Sequence, residues 1–282
     1  SAINIIECIT HKSKNPELTH VTMSVWCYAE IADDQGKPAT GMEIKIDKNK
    51  LSIEFGEKAQ KTVLLKYAIS YVSQQQAKKN FDAELTNQNF DELAATAKAA
   101  WDVELNKIRV KGGTDAQKRT FYTALYRTKE RMIDITEDGK YYSSYDRSIH
   151  KTERPFYVDD WAWDTHRALH PLRTIIAPQQ EQDMLHSYVE MYKQSGWMPT
   201  FPLITGNRAC MNCFYSSVLF LDAYRKGLKN FDVEAAYEGV HKNLTESSWI
   251  PWCQGSKATA LDQRMKELGF MPASHPGEKE TE

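Results

Sequence analysis

The chain has 282 residues, of which 41% are hydrophobic and 11% aromatic, so it is long enough to bury the core of one large or two ordinary domains. Its 36 basic and 38 acidic residues leave a formal net charge of −2, which excludes an electrostatic case for binding nucleic acid or an anionic membrane. No run approaches the roughly 18 apolar residues of a membrane helix, and the N-terminus lacks the regions of a signal peptide. We therefore expect a globular protein without membrane insertion, either cytosolic or lacking its targeting segment in this sequence.

The first 75 residues predict a β-rich region. They hold five runs rich in Val, Ile and aromatic residues, separated by polar turns such as DDQGKP and DKNK. These runs are Ile3–Thr10, Val21–Ile31, Met42–Asp47, Leu51–Phe55 and Thr62–Val72. At least five antiparallel strands are typical of a sandwich, so residues 1–75 are expected to form a β-sandwich portion.

The hydrophobic period changes after the last predicted strand. Residues 73–108 contain no Gly or Pro, are rich in Ala and Lys, and repeat apolar residues at spacings of three and four from Phe90 to Trp101. This pattern predicts a helical connector. We therefore expect residues 76–111 to form a helical linker.

From residue 112 onward the sequence predicts helices joined by aromatic loops that contain Pro and Gly. Thr114 and Asp115 can cap the first helix, and a loop with Asp138-Gly139 follows it. The later helices are expected at Asp159–Ile176 with a kink or restart at Pro171, Pro178–Gln194 closed by Gly196, Arg208–Lys226 closed by Gly227, Val233–Ser247 and Ala258–Leu268. Six such helices are typical of half an (α/α) toroid. The pattern thus predicts that residues 112–282 are the first half of a toroid, in a piece of a longer polypeptide whose remainder is its partner.

The five cysteines predict neither a disulfide framework nor a metal site. The count is odd, and the C-x-x-C formed by Cys210 and Cys213 has only Cys253 as a distant third candidate ligand. Buried thiols are the favoured interpretation. The sequon at Asn243 lies in a predicted helix and is interpreted as chance.

The stretch Asp159–Ile176 combines indoles, carboxylates and guanidinium groups more densely than any other window. On a helix, Trp163, Asp164 and Arg167 would project from neighbouring sites on one face. An indole beside a carboxylate and a guanidinium is what a sugar ring requires, because its C–H faces stack on aromatic rings while its hydroxyls need charge-assisted partners. From spacing alone, an amphipathic helix with a surface Asp–Arg pair and two core tryptophans is the favoured interpretation.

Four strings carry a family resemblance: GGTDAQKRTFYTALYRT at 112–128, WDTHRALHPL at 163–172, GWMPTFPL at 196–203, and ACMN followed by DAYRKG within 209–227. With them the chain resembles glycoside hydrolase family 92, the calcium-dependent inverting exo-α-mannosidases, over roughly residues 60–282. The resemblance implies an α+β multidomain fold with an N-terminal antiparallel β-sandwich, a helical linker and an (α/α)6 toroid. It also implies a calcium cofactor with most ligands outside this chain, an α-mannoside or mannose-containing glycan as partner, and a periplasmic or secreted location.

Carried over position by position, the resemblance assigns roles to four residues. Trp163 and Asp164 match the residues that stack on and hydrogen-bond the mannose, with Arg167 beside them. Aligning Cys210-Met211 places Asn207 where the family has its general-acid Glu, and the general base would lie beyond Glu282. Cys213 and Tyr215 also depart from the family pattern, which affects the expected contacts to the leaving group.

An Asn at the acid position changes the expected chemistry. Inverting glycosidases need a carboxylic acid to protonate the leaving oxygen, and positioned acid catalysis is worth about 10²–10⁴-fold. The resemblance therefore implies an exo-α-mannosidase with an altered leaving-group preference, such as a phosphodiester that needs little protonation. The alternative is a mannose- or glycan-binding pseudoenzyme or an inactive fragment. If the alignment slips, Glu181 and Glu190 become candidates for the acid, although both are also explicable as solvated helix carboxylates.

Overall fold

The computed structural model of the chain describes residues 2–9, 21–33, 37–47, 50–56, 62–86, 88–207, 215–246 and 267–270. The chain divides into two compact units. The first comprises Ser1–Glu7 and Ser24–Asn106, and the second comprises Cys8–Met23 and Lys107–Glu282. Within the described ranges the fold is mixed, with eight helices and several small sheets. No helix in these ranges is long and apolar enough to cross a membrane.

The N-terminal strands form two small sheets. The strands are β1 (Ala2–Ile9), β2 (Val21–Ala32), β3 (Met42–Asp47), β4 (Lys50–Phe55) and β5 (Leu64–Ser70). One sheet has the order β1-β2-β5, with β2 and β5 antiparallel, and β3 pairs with β4 as an antiparallel hairpin. All five predicted strands are confirmed to within two residues at each end. The free thiol of Cys27 on β2 is buried, as interpreted from the sequence. The arrangement of these sheets as a sandwich stays a prediction.

Two helices occupy the stretch that the sequence predicted to be a helical connector, residues 73–108. They are α1 (Gln74–Glu84) and α2 (Phe90–Leu105). Asn89 begins α2 with a capping box: its side chain accepts the N–H of Glu92 at 3.0 Å, and the Glu92 carboxylate accepts the N–H of Asn89 at 3.0 Å. Satisfying these otherwise unpaired N–H groups favours a new helix start over continuation.

Helix α1 packs on β5, while α2 buries no side chain. Phe81 of α1 is buried, and its ring meets that of Tyr28 edge to face at 4.9 Å. On α2, in contrast, Phe90 is 67% exposed. The three-and-four spacing therefore predicted α2 correctly, but its apolar side chains are not buried among the described residues.

The second unit contains six helices and six short strands among its described residues. The helices are α3 (Asp115–Arg127), α4 (Ala162–Thr165), α5 (Leu169–Ile176), α6 (Pro178–Ser195), α7 (Tyr215–Arg225) and α8 (Val233–Thr245). The strands are β6 (Ile133–Asp134), β7 (Lys140–Ser143), β8 (Ser148–Lys151), β9 (Tyr157–Val158), β10 (Pro202–Leu203) and β11 (Gly206–Asn207). They pair as three antiparallel ribbons, β6-β9, β7-β8 and β10-β11.

Several helix ends form where the sequence predicted them. Thr114 caps α3 in a capping box with Gln117, and Pro178 is the first residue of α6. Gly196 ends α6 with φ of 76°, and Gly227 follows α7 with φ of 83°. Because a left-handed backbone is strained for residues with a Cβ, glycine is favoured at both ends. The predicted loop after α3 is corrected to the β7-β8 hairpin, whose four-residue strands are too short to show a clear period in the sequence.

The core of the second unit is built around α6. Helix α6 contacts α5, α7, α8 and β9. Its buried apolar side chains pack with those of α7 and α8; the cluster includes Met184, Leu185, Tyr188, Val189, Leu219, Phe220, Ala223, Ala235 and Ala236. Helix α6 is therefore the rigid element against which neighbouring segments are positioned.

Asn243 of α8 has a structural role. It is buried, its amide donates to the carbonyl of Met198 at 2.7 Å, and its carbonyl accepts the N–H of Met198 at 3.3 Å. The interpretation of its sequon as chance therefore agrees with a side chain enclosed by the core. The predicted helix at 258–268 falls outside the described residues apart from its last two, and Cys210, Cys213 and Cys253 lie outside them entirely.

Candidate functional site

The predicted helix Asp159–Ile176 is corrected to two helices separated by a turn at residues 166–168. His166 explains the break, because its Nδ1 lies 2.9 Å from the carbonyl oxygen of Trp163. A continuing helix would bond that carbonyl to the N–H of Arg167. Pro171 falls in the first turn of α5, where its missing N–H has no helical partner to lose. The predicted restart is therefore confirmed, but it begins before the proline.

The three predicted sugar-binding residues lie on the surface of this segment. Trp163 is 48% exposed, and Asp164 and Arg167 are also exposed. Neither charged side chain has an ion-pair or hydrogen-bond partner among the residues that the structure describes. The expected helical spacing does not extend to Arg167, which lies in the turn after α4. The alternative of an Asp–Arg pair above two core tryptophans is wrong for this segment, since Trp161 is also 38% exposed.

Trp161 is held by two neighbours that spacing along the chain did not reveal. The guanidinium of Arg131 lies 3.7 Å from the centroid of its ring, a cation–π geometry, and Arg131 also forms an ion pair with Asp159. The ring of Phe201 also stacks on the indole, with ring centroids 5.5 Å apart and an interplanar angle of 28°. The indole is therefore exposed but fixed. Arg131 is 30 positions away, so only the fold brings it here.

Asn207, the residue aligned with the family's general acid, is hydrogen-bonded to the backbone of the neighbouring loop. Its Oδ1 accepts the backbone N–H groups of Thr200 and Phe201, both at 3.0 Å. It pairs with Pro202 in the β10-β11 ribbon, and the carbonyl of Pro202 accepts the N–H of Asp160 at 2.9 Å. The structure therefore brings Asn207 beside the start of the exposed segment, and it gives the side-chain oxygen two backbone partners.

Tyr215 also lies beside this segment. Its ring stacks on that of His166 at 4.0 Å with an interplanar angle of 29°. Tyr215 begins the described part of α7, so the ring contact joins α7 to the turn after α4. Cys213, the other departure from the family pattern, lies outside the described residues.

Directly beneath the exposed segment is a buried network that we call the Asp160 network: Asp160, His170, Glu181 and Tyr188. Each of these residues is at most 1% exposed. The ring nitrogens of His170 lie 2.9 Å from Asp160 Oδ2 and 2.8 Å from Glu181 Oε1. The hydroxyl of Tyr188 donates to Asp160 Oδ2 at 2.6 Å, and that of Thr165 donates to Asp160 Oδ1 at 2.9 Å.

The charges of the network determine its protonation. Burial alone would lower the pKa of His170, but the charges of Glu181 and Asp160 and its hydrogen bonds to both raise it to about 9. Burial alone would raise the pKa of Asp160, but the charge of His170 and the hydrogen bonds from His170, Tyr188 and Thr165 lower it to about 2. At neutral pH two buried carboxylates thus face an imidazolium. Arg173, which is 2% exposed, adds a second buried cation.

The two glutamates considered as alternative acids have separate positions. Glu181 belongs to the Asp160 network and is neither solvated nor at an open surface, so both interpretations of it are corrected. Glu190 lies further along α6 with its side chain 28% exposed, 3.4 Å from the ammonium of Lys193. It is an ordinary helix-surface carboxylate.

Sequence reasoning did not find the Asp160 network. Asp160 and His170 stood inside the window singled out as functional, but Glu181 and Tyr188 lie on another helix. A histidine close to an aspartate is a weak signal, because its meaning depends on whether packing removes both from water. Only the contact between α5 and α6 makes this pair a buried ionic network.

No metal site was found among the described residues. Within these ranges, no group of three or more His, Cys, Asp or Glu side chains is arranged to hold a metal ion. The family resemblance implies a calcium ion with most of its ligands outside this chain. Its ligands, and its presence, stay predictions.

Comparison with known proteins identifies the family. A model of the glycosyl hydrolase family 92 catalytic domain matches residues 76–282. The chain is similar to the structure of a family GH92 inverting mannosidase from Bacteroides thetaiotaomicron, with a TM-score of 0.76 and 26% identity, covering 96% of this chain and 37% of that one. It is also similar to a GH92 α-mannosidase from the same organism, with a TM-score of 0.69 and 25% identity, covering 89% of this chain and 36% of that one.

A curated relative from Arthroderma benhamiae, described as an uncharacterized secreted glycosidase, is 24% identical over 216 residues, which are 75% of this chain and 23% of that protein. The chain thus spans between about a quarter and just over a third of the length of these relatives. The family match covers most of the chain, and the small antiparallel sheets and helices agree with the solved structures of the family. The chain therefore belongs to glycosyl hydrolase family 92, a family of glycoside hydrolases.

Proposed function

We propose that this chain is part of an exo-acting, inverting α-mannosidase that hydrolyses terminal α-mannose from glycans. The observation that carries the proposal is the exposed trio Trp163, Asp164 and Arg167, whose charged members have no partner among the described residues. Similarity to two mannosidases of the family supports the choice of sugar. In the same proposal, residues 1–75 form a β-sandwich portion, 76–111 a helical linker and 112–282 half of an (α/α)6 toroid.

Each member of the trio has a distinct role in this proposal. Trp163 stacks against the C–H face of the mannose ring, because an exposed indole gains apolar contact without breaking core packing. Asp164 accepts hydrogen bonds from sugar hydroxyls, and Arg167 donates to sugar oxygens. Since neither charge is neutralised by a described neighbour, both are available to a ligand.

Asn207 shapes the preference for the leaving group. It has no ionisable proton, and its side-chain oxygen already accepts two backbone N–H groups. A leaving group that is a weak base, such as a phosphate ester or a phenol, departs with little protonation and tolerates this site. An alkoxide leaving group forfeits the 10²–10⁴-fold contribution that an acid typically supplies. The general base is proposed to lie outside this chain.

The alternative is a mannose- or glycan-binding pseudoenzyme, or an inactive fragment. The observation in its favour is also Asn207, because a side chain committed to the loop backbone is consistent with a site that only binds. A calcium requirement and a periplasmic or secreted location belong to the proposal through the family resemblance. The relative described as secreted supports the location.

The decisive experiment compares three substrates on the complete natural polypeptide: an aryl α-mannoside, a mannosyl phosphodiester and α-linked mannobiose. The proposal expects the first two to be hydrolysed far faster than mannobiose. Mannoimidazole is a ligand found in complex with a family GH92 α-mannosidase from Bacteroides thetaiotaomicron. Its binding to this protein is measured in parallel by calorimetry. Binding without turnover of any substrate would establish the pseudoenzyme. The absence of both binding and turnover would overturn both functions.

A further inference from the structure

The Asp160 network ties the exposed segment to helix α6 at both of its ends. Asp160 directly precedes Trp161, and His170 follows Arg167 by three residues. Thr165, in the middle of the segment, donates to Asp160 at 2.9 Å. The segment that carries the proposed sugar contacts is therefore held at its beginning, middle and end by one set of hydrogen bonds.

The other side of the network belongs to a rigid element. Glu181 and Tyr188 both lie on α6, two turns apart, and Tyr188 is part of the main apolar cluster. One turn of helix, α4, is too short to hold its own geometry in water. Its orientation must therefore come from tertiary contacts, and those of Asp160 and Thr165 are among them.

We infer that Asp160, His170, Glu181 and Tyr188 are positioning residues, which fix Trp163, Asp164 and Arg167 in the geometry that receives the sugar. The inference rests on the proposed function for its ligand. The positioning residues touch no substrate, because each is fully enclosed. They act through the backbone of the segment, where a misplacement of about 1 Å can cost on the order of 100-fold in rate.

The charge balance explains why the network holds one geometry. Two carboxylates, one imidazolium and the nearby guanidinium of Arg173 sum to zero net charge. A buried charge that loses its partner must find water or another partner, and the adjacent turn at 166–168 is the part of the segment without regular helix structure. Loosening the network thus shifts the segment rather than α6, whose apolar face remains packed.

Tyr188→Phe tests the inference with the smallest change, since it removes one hydroxyl and leaves the ring in the core. Tyr141→Phe is the matched control: Tyr141 is also buried, and its hydroxyl also makes one hydrogen bond, which it accepts from the amide of Gln194 on α6 at 2.7 Å. We expect Tyr188→Phe to weaken mannoimidazole binding about 10-fold or more and Tyr141→Phe to leave it unchanged. Equal effects of the two variants at matched loss of Tm would overturn the inference.

A pair of substitutions at Thr165 tests rescue. Thr165→Val keeps the shape but loses the hydroxyl that bonds Asp160, whereas Thr165→Ser keeps the hydroxyl. We expect the valine variant to bind mannoimidazole weakly and the serine variant to bind it nearly as tightly as the natural protein. If both variants bind alike, the hydrogen bond to Asp160 does not position the segment.

Amide hydrogen exchange separates failure of this inference from failure of the proposed function, because it needs no sugar. Exchange of residues 161–167 is measured in the complete polypeptide carrying Tyr188→Phe or Tyr141→Phe. If the network positions this segment, its amides should exchange faster in Tyr188→Phe but not in Tyr141→Phe. Faster exchange in Tyr188→Phe would support the positioning role even if the unaltered protein does not bind mannoimidazole. In that case the proposed ligand would be wrong. Unchanged exchange would reject the positioning whatever the ligand.

Discussion

Asp160 and Asp164 lie four residues apart in one short segment, yet their surroundings are opposite. Asp160 is fully buried and accepts hydrogen bonds from three side chains, whereas Asp164 is exposed and has no side-chain partner among the described residues. A buried, paired carboxylate fixes structure, because moving it would strand a charge away from water. An exposed, unpaired carboxylate contributes little to the fold and is available to a ligand. The same side chain thus has a structural role at one position and a proposed binding role at the next turn.

The sharpest test of this contrast truncates each aspartate. Asp160→Ala leaves His170 partly unpaired in the core, so we expect the free energy of unfolding to fall by about 3–5 kcal/mol. Asp164→Ala should change it by no more than about 0.5 kcal/mol, as for other surface substitutions. Urea unfolding of both variants measures the difference. Comparable losses of stability would show that the two carboxylates are not in the environments described.

The same pair should reverse its order in ligand binding. Asp164→Ala is expected to weaken mannoimidazole binding by roughly 1.5–3 kcal/mol, the worth of a hydrogen bond to a charged group. Calorimetry on the complete polypeptide measures this loss. If Asp164→Ala binds as tightly as the natural protein, Asp164 is not a sugar ligand, and the proposed roles of its neighbours weaken with it.

The next prediction concerns Asn207. Comparing Asn207→Asp with the longer Asn207→Glu distinguishes an effect on catalysis from an effect on the structure of the loop. The side chain in Asn207→Asp has the same shape and keeps both backbone hydrogen bonds. Because N–H donors stabilise the charged form of a carboxylate, the new aspartate is a poor acid. Asn207→Glu is one methylene longer and must leave those bonds. We therefore expect only Asn207→Glu to raise mannobiose hydrolysis, by up to about 10²–10⁴-fold.

Initial rates with mannobiose and an aryl α-mannoside measure this effect. The aryl substrate serves as the internal control, because its hydrolysis should change little in either variant. Rapid mannobiose hydrolysis by the natural protein, with a bell-shaped pH profile, would mean that another carboxylate fills the acid role.

The pH dependence of stability sharpens the contrast between the buried and exposed groups. The pKa of His170 is raised from 6.5 to about 9 in the folded protein. Its protonation therefore stabilises the fold fully below about pH 6.5, and this contribution, on the order of 3 kcal/mol, is lost as the pH rises through 9. Urea unfolding between pH 6 and 10 should show the decline in the natural protein and in Asp164→Asn, but not in His170→Gln. A flat profile in the natural protein would contradict the buried ionic network.

The sequence predicted the elements whose signals are local. Pro178 and Gly196 marked the two ends of α6, and Thr114 the start of α3, because backbone geometry and capping act over a few residues. Asn89 carried an equally local signal in its Asn-x-x-Glu spacing, which the uniform helical composition around it obscured. His166 is different, because its ring replaces a helical hydrogen bond and no spacing rule includes that.

The site was less predictable than the fold. Exposure of Trp163 and burial of Glu181 both depend on which helices pack together, and periodicity does not contain that information. The resemblance to the family drew attention to Trp163, Asp164, Arg167 and Asn207, whose roles stay predictions. It gave no reason to connect His170 with α6, since a pair of buried charges is stable only when packing brings both together.

The smallest expected effect compares the two neighbouring indoles. Trp163 has no ring partner among the described residues, whereas the ring of Trp161 contacts both Arg131 and Phe201. Trp163→Ala should therefore leave Tm nearly unchanged and weaken mannoimidazole binding by about 1–3 kcal/mol, through lost stacking and apolar contact. Trp161→Ala should lower Tm, because both of its packing contacts are lost together. Thermal unfolding and calorimetry on the two variants decide the matter: a fall in Tm with unchanged binding in Trp163→Ala would place Trp163 in the protein's own packing, and the sugar would need another platform.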